Sequence, residues 1–209
     1  MKSLAFASIG LLGACLVNAQ EVQRFTFNAG GGFTMPAGNT ARFLDTGWNA
    51  GVGAGVNWNN YFATLIQFQY NDMNINGSNL AAIGVPGGDV AFWSVTLDPK
   101  IHLAPKSHVD VYLVGGGGLY SRRQEFTAPT TAIVPGFDPF FGFGEFAVPA
   151  TEVLSSDTIY KPGFNVGAGV AFGTKWHAKF FAEARWHHMF LSDAVTHNDY
   201  IPVTFGVTF

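Results

Sequence analysis

The stretch IPVTFGVTF, residues 201–209, alternates without a break. Side chains leave a β-strand on opposite faces in turn. Ile201, Val203, Phe205, Val207 and Phe209 therefore make one wholly apolar face, while Pro202, Thr204, Gly206 and Thr208 make a face that is small or polar. From Gln20 onward no helical period of useful length competes with this period of two.

Further back, residues 47–58 repeat the pattern, with Trp48, Ala50, Val52, Ala54, Val56 and Trp58 opposite Asn49, Gly51, Gly53, Gly55 and Asn57. On a strand tilted by ~40° the two indoles stand about 25 Å apart along the membrane normal, the height of an apolar band between aromatic girdles. Similar segments cover residues 24–34, 61–72, 90–103, 109–121, 161–173 and 178–191, which makes eight strands. In 24–34 the apolar face is Phe25, Phe27, Ala29, Gly31 and Phe33. The facing of 109–121 is open, because Tyr112 and Tyr120 compete with Val111 and Leu119 for the apolar side.

The connections alternate in length. Residues 59–60, 104–108 and 174–177 are short, whereas 35–46, 73–89, 122–160 and 192–200 are longer. Short turns on one rim and long loops on the other fit the periplasmic and extracellular ends of a transmembrane barrel. An even number of antiparallel strands brings both termini to the periplasmic rim. The expected fold is an all-β, eight-stranded antiparallel up-and-down transmembrane β-barrel.

Composition agrees. Charged residues make up 12% of the chain beside 15% aromatics and 26 glycines, against about 25% charge in soluble domains. No internal run reaches the ~18 to 20 apolar residues of a transmembrane helix. Residues 1–19 read as a signal peptide, with Lys2 at its start, an apolar stretch over 4–17 and Val17-Asn18-Ala19 as the cleavage site. The barrel domain is then 20–209. Cys15 is the only cysteine; Leu12-Gly13-Ala14-Cys15 loosely resembles a lipoprotein box, which leaves its lipidation open. Without Lys2, ten basic side chains face fourteen acidic ones, which offers no basic surface to nucleic acid.

Alternation alone does not say whether the apolar face looks inward or into lipid. The opposite face decides it: it carries Asn, Thr, Ser, Gln and Gly with few charges, which suits a crowded lumen better than an exposed surface. Asp98, Lys100, Asp110, Lys179, Glu183 and Arg185 fall on that face. Ions cost ~2 to 4 kcal/mol on the lipid side near the midplane, and an unpaired buried ion also costs several, so a paired lumen cluster is the expected arrangement, centred on Glu183, Arg185 and Lys100. Trp48, Trp58 and Trp186, with Phe164 and Phe172, are the expected membrane-interface aromatics.

The segment FFAEARWHHMFLSDAVTHNDYIPVTFGVTF, residues 180–209, resembles the final hairpin of the small outer-membrane β-barrel domain family, the OmpA/OmpX-like barrels. The resemblance extends over 20–209. It implies an integral protein of the bacterial outer membrane, in contact with lipid and lipopolysaccharide. Phe205, Val207 and Phe209 resemble the terminal signal read by the barrel-assembly machinery, although Gly206 lies nearer the end than the general signal has it. Some relatives continue into a peptidoglycan-binding domain, which this chain is expected to lack.

Little points to catalysis or to a cofactor. Gly115–Gly118 lacks the Lys-Ser/Thr of a phosphate loop. His187 and His188 are adjacent and so face opposite ways, and the other histidines show no ligand spacing. A lipid A deacylase, another eight-stranded barrel, uses a His-x-Ser pair, but Met189 and Phe190 occupy the matching positions here. The most distinctive feature is VPGFDPFFGFGEFAVP, residues 134–149, with Phe137, Phe140, Phe141, Phe143 and Phe146. These phenylalanines either meet a surface partner or fold over the barrel mouth and bury one another. The long loops, together with Asp72 at the edge of one, also carry ten acids against Arg42, Arg122 and Arg123, an outer rim able to hold divalent cations or simply to be solvated. The function expected is non-enzymatic, structural or surface-interacting. A narrow passive pore is the first alternative and a lipid A-modifying hydrolase the second.

Overall fold

A strand in hydrocarbon must find a partner for every backbone N–H and C=O, and a closed ring of strands is the β solution. The computed structural model describes residues 24–140, 142–173, 178–190 and 198–209 and adopts that solution. Its strands are β1 (Phe25–Ala37), β2 (Gly47–Asn57), β3 (Phe62–Asn74), β4 (Gly87–His102), β5 (Val109–Asp138), β6 (Gly142–Gly173), β7 (Lys179–Met189) and β8 (Asn198–Thr208). Each pairs antiparallel with its neighbour, and β1 pairs with β8 to close the barrel. Among the described residues no helix is long and apolar enough to cross a membrane.

The closing seam uses the terminal strand read first. Asn28 opposes Thr208, and the register runs to Ala37 opposite Asp199. One step beyond, Phe209 N–H donates to the Phe27 carbonyl at 2.8 Å and Phe27 N–H donates to the Phe209 carbonyl at 3.1 Å. Gly30 faces Gly206 across the seam. A Cβ on Gly206 would lie 2.2 Å from the Ala29 carbonyl oxygen and 2.7 Å from the Gly30 Cα, so only glycine fits.

Facing follows the alternation. Phe25, Phe27 and Phe33 on β1, Trp48 and Val52 on β2, and Phe205 on β8 are exposed on the outside. In β5, Tyr112 and Tyr120 point inward and are fully buried, while Val111, Leu113 and Leu119 face out. The polar interior decides that choice, since it offers the phenol rings polar neighbours that lipid cannot.

The turns at the N-terminal rim are short. Between β2 and β3, the Asn59 Oδ1 accepts from the N–H groups of Tyr61 at 2.8 Å and Phe62 at 2.9 Å. At the opposite rim a 3-10 helix (Gly38–Arg42) follows β1, and a short helix, α1 (Gly77–Ile83), lies between β3 and β4. The Asn76 side chain caps α1 by accepting from Ser78 N–H, and Gly84 ends it at φ 70°.

Residues 122–160, expected as a long loop, are instead the continuation of β5 and β6. The two strands stay paired from Arg122 opposite Ile159 to Asp138 opposite Gly142. The reading as a loop rested on Pro129, Pro135, Pro149 and several glycines. In a two-stranded ribbon the outer edge of each strand has no partner, so a proline placed there removes no ladder bond. The leader 1–19, Cys15, Phe141, residues 174–177 and Ser192 with Asp193 lie outside the described residues.

Gly206→Val should block seam closure. On unheated electrophoresis gels the folded-barrel band is expected to fall sharply relative to the wild type, while a change on the projecting ribbon such as Ile133→Thr leaves it intact.

Candidate functional site

The lumen is filled with side chains. Arg185 on β7, 3% exposed, reaches the Asp98 Oδ2 of β4 through Nη1 at 2.5 Å, the Glu183 Oε1 through Nε at 2.5 Å and the Gln67 Oε1 of β3 through Nη2 at 2.9 Å. Asp98 is fully buried and also accepts from Asn165 Nδ2 and Thr96 Oγ1, each at 2.9 Å. One guanidinium thus ties strands on opposite walls together. Its forked donors hold two carboxylates and an amide at once, which a lysine could not do.

The remaining charges are placed differently from one another. Lys100 is buried, but its ammonium lies over the Tyr112 ring, 3.5 Å from the centroid, and it forms no ion pair among the described residues. Glu183 is already held by Arg185. Asp110, also buried, pairs with His102 on the adjoining strand. Lys179 does not join the cluster: it is the first residue of β7, at the periplasmic mouth, where it stays exposed to water. That position lets its ammonium remain hydrated.

Glycines make room for these large groups. A Cβ on Gly169 would lie 2.4 Å from the Tyr112 Cζ, one on Gly163 2.7 Å from the Tyr120 Cδ2, and one on Gly116 2.4 Å from the Asp98 Oδ1. Gly116 of β5 and Gly163 and Gly169 of β6 therefore seat lumen side chains and do not leave an open bore beside them. Toward the extracellular side the lumen ends in a buried cluster that includes Phe92, Met73, Met189, Tyr120 and Tyr200. His187 stacks on Tyr200 at 5.0 Å between ring centroids, and the Tyr120 hydroxyl lies 3.2 Å from the His187 Nδ1.

Outside, aromatics mark two rims. Trp48 contacts Tyr70, Trp93 contacts Tyr160 and Phe164 contacts Trp186, with centroids 5.3, 5.8 and 5.4 Å apart. Trp58, Phe172, Phe180 and Phe209 stand exposed toward the other rim. His188 joins Phe164, Trp186 and Phe190 on the outer wall, and its Nδ1 lies 2.6 Å from Asp199 Oδ1. Ser192, the serine that follows His188 in the chain, lies outside the described residues.

Beyond the last β4 pair, Gly87 opposite Thr127, the β5–β6 ribbon has no other strand beside it among the described residues for about 35 Å of strand. At its end Phe137 and Phe143 touch at 5.1 Å between centroids, yet both are exposed, Phe143 at 90%, and Phe140 reaches 91%. They do not fold over the barrel mouth. Phe146 stands opposite Val134 in the ribbon. At the ribbon's base Arg123 pairs with Glu125, and Asp89 stands opposite Glu125. Among the described residues no three His, Cys, Asp or Glu side chains are grouped to hold a metal ion, so the acidic rim contains no formed cation site there.

Sequence reasoning missed Gln67, Asn165, Thr96, Tyr112 and Tyr120 as lumen partners. Their inward parity was a usable signal. Which of them meets Arg185 was not, because the contacts cross the barrel.

A sealed lumen, two aromatic rims and a closed antiparallel ring define an integral outer-membrane β-barrel protein. The chain belongs to the family described as Outer membrane protein beta-barrel domain, whose profile matches residues 6–209. Among solved structures it resembles Neisserial surface protein A, with 13% identity and a TM-score of 0.56, over 88% of this chain and 95% of that one. It also resembles a major outer membrane protein from Thermus thermophilus, with 9% identity and a TM-score of 0.54, over 88% and 98%. Ail, the attachment invasion locus protein of Yersinia pestis, matches with 15% identity and a TM-score of 0.48, over 89% and 98%. These likenesses concern the fold. No curated protein matches the chain in sequence.

Replacing Arg185 by Gln leaves Asp98 and Glu183 buried without their counter-ion, a loss of about 3 to 5 kcal/mol. Urea unfolding in lipid vesicles should show this as a lower midpoint. Adding Asp98→Asn and Glu183→Gln to the same chain should recover most of the loss.

Proposed function

We propose that this protein is a non-enzymatic surface-interaction protein of the outer membrane, in which the barrel is a rigid mount and the β5–β6 ribbon is the contact element. The observation that carries this reading is the exposed aromatic tip, with Phe137, Phe140 and Phe143 standing in water at the end of the projecting ribbon. Apolar side chains displayed this way lose water when they meet a partner, and each fully buried Phe contributes about 1.5 to 3 kcal/mol. A loop serving only to close a turn has no need of them. Export through the 1–19 leader and insertion by the barrel-assembly machinery at Phe205, Val207 and Phe209 belong to the same reading.

The pore alternative is weakened by the packed lumen, since eight strands enclose little more than side chains. The hydrolase alternative has the His188–Asp199 pair in its favour. A part-buried pair among aromatics at the membrane interface is equally suited to meeting headgroups.

Cells displaying the chain should adhere to lipid-coated or matrix-coated surfaces several-fold better than cells lacking it. The variant Phe137→Ser, Phe140→Ser, Phe143→Ser should lose that gain with its barrel intact; undiminished adhesion by the variant would remove the ribbon from the function.

Planar-bilayer recordings should show no stable, reproducible conductance, and mass spectra of lipid A should be unchanged by His188→Ala. A steady channel, or an acyl chain whose loss depends on His188, would move the assignment to the corresponding alternative.

A further inference from the structure

At the extracellular mouth, above the sealed lumen, lies a cavity of about 380 Å³. That volume falls within the range of about 300 to 1,000 Å³ found for small-molecule sites. The 3-10 helix, α1 and the upper parts of β4 and β5 wall it. The lining is chiefly apolar, with Phe43, Leu44, Ile83, Phe92 and Phe126 prominent. Phe92 and Leu44 also belong to the buried cluster beneath, so the floor is fixed by the barrel.

Arg122 is the one charged side chain in this lining, whose neutral polar members are Asn39, Thr40, Asn79, Gln124 and Asn198. Its Nε is buried without a hydrogen-bond partner, and the side chain forms no ion pair among the described residues. The neighbouring Arg123, by contrast, is paired with Glu125. A buried donor left unsatisfied costs about 1 to 3 kcal/mol, a cost that an oxyanion placed on the guanidinium would relieve. The apolar walls and one unpaired guanidinium together describe a ligand with a single hydrocarbon chain and an anionic end. Sugars would leave the walls unused, and a cationic amphiphile would be repelled.

We infer that this mouth cavity is a binding site for a free single-chain carboxylate amphiphile of the fatty-acid class, its carboxylate on Arg122 and its chain against Phe43, Ile83 and Phe126. The site is separate from the ribbon tip and does not depend on it. Binding needs no chemistry beyond the ion contact and burial of the chain.

The test is photolabelling with dodecanoate carrying a terminal diazirine, applied to the full chain in phosphatidylcholine nanodiscs, followed by peptide mapping. Labels are expected in the segments around Phe43, Ile83 and Phe126, displaced by unlabelled dodecanoate and much less by dodecanol or dodecyltrimethylammonium. Arg122→Gln should raise the half-saturating probe concentration about tenfold, and Ala82→Trp, which fills the cavity, should abolish these labels. Folded-band electrophoresis checks both variants. Should Ala82→Trp fail to fold, Arg122→Gln decides, because the Arg122 side chain makes no hydrogen bond or ion pair among the described residues that its loss would break. Labels confined to outward residues such as Val52 and Ile66 would overturn the site. So would equal displacement by dodecanol, an unchanged Arg122→Gln curve, or displacement by lipopolysaccharide but not by dodecanoate.

Discussion

The closing of β1 on β8 is the constraint from which the rest of this molecule follows. In hydrocarbon an open edge would expose a row of unpaired backbone groups, each costing several kcal/mol. The seam removes both edges at once, and it does so where Gly30 meets Gly206 and where the Phe27 and Phe209 backbones exchange hydrogen bonds. Once the ring is shut, every strand has one lipid face and one lumen face, and the chemistry of each residue is set by its parity.

Closure also creates a problem inside. Eight strands leave a narrow interior that excludes most water, so polar side chains there must satisfy one another. Arg185 does this for Asp98, Glu183 and Gln67 together, and glycines on the facing strands give the tyrosines and carboxylates their space. A buried ionic network of this kind is weak as a source of net stability. Its value is in specificity: only the native register brings β3, β4 and β7 to one guanidinium, with β6 joined through Asn165 on Asp98, so a slipped strand would strand a charge.

The legibility of the sequence follows the range of the interactions. Strand count, facing and rim assignment depend on period two and on turn length, both local, and the alternation of 47–58 and 201–209 carried them. The membership of Asp98, Glu183 and Arg185 on the inner face was readable for the same reason. Their pairing was not, because Asp98 and Arg185 are 87 residues apart in the chain and meet across the barrel. Lys100 is buried in the lumen, but a tyrosine face, visible only in three dimensions, serves where a carboxylate partner had been expected. Prolines made 122–160 read as a loop, since a sequence does not reveal that a ribbon's outer edges need no partner. The mouth cavity was hidden altogether: its walls come from segments far apart in the chain.

The ladder of the β5–β6 ribbon shifts register between Phe126 and Thr127, close to where the other strands end. Below that bulge β4 lies beside β5; above it, the hairpin has no other strand beside it among the described residues. Its length is therefore a free variable for evolution. Residues added or removed in matched pairs on the two strands, two at a time, would keep each side chain on its face and the turn in its geometry. The reach of the aromatic tip can thus be matched to the thickness of whatever coats the cell, with no change to the part of the chain that crosses the membrane.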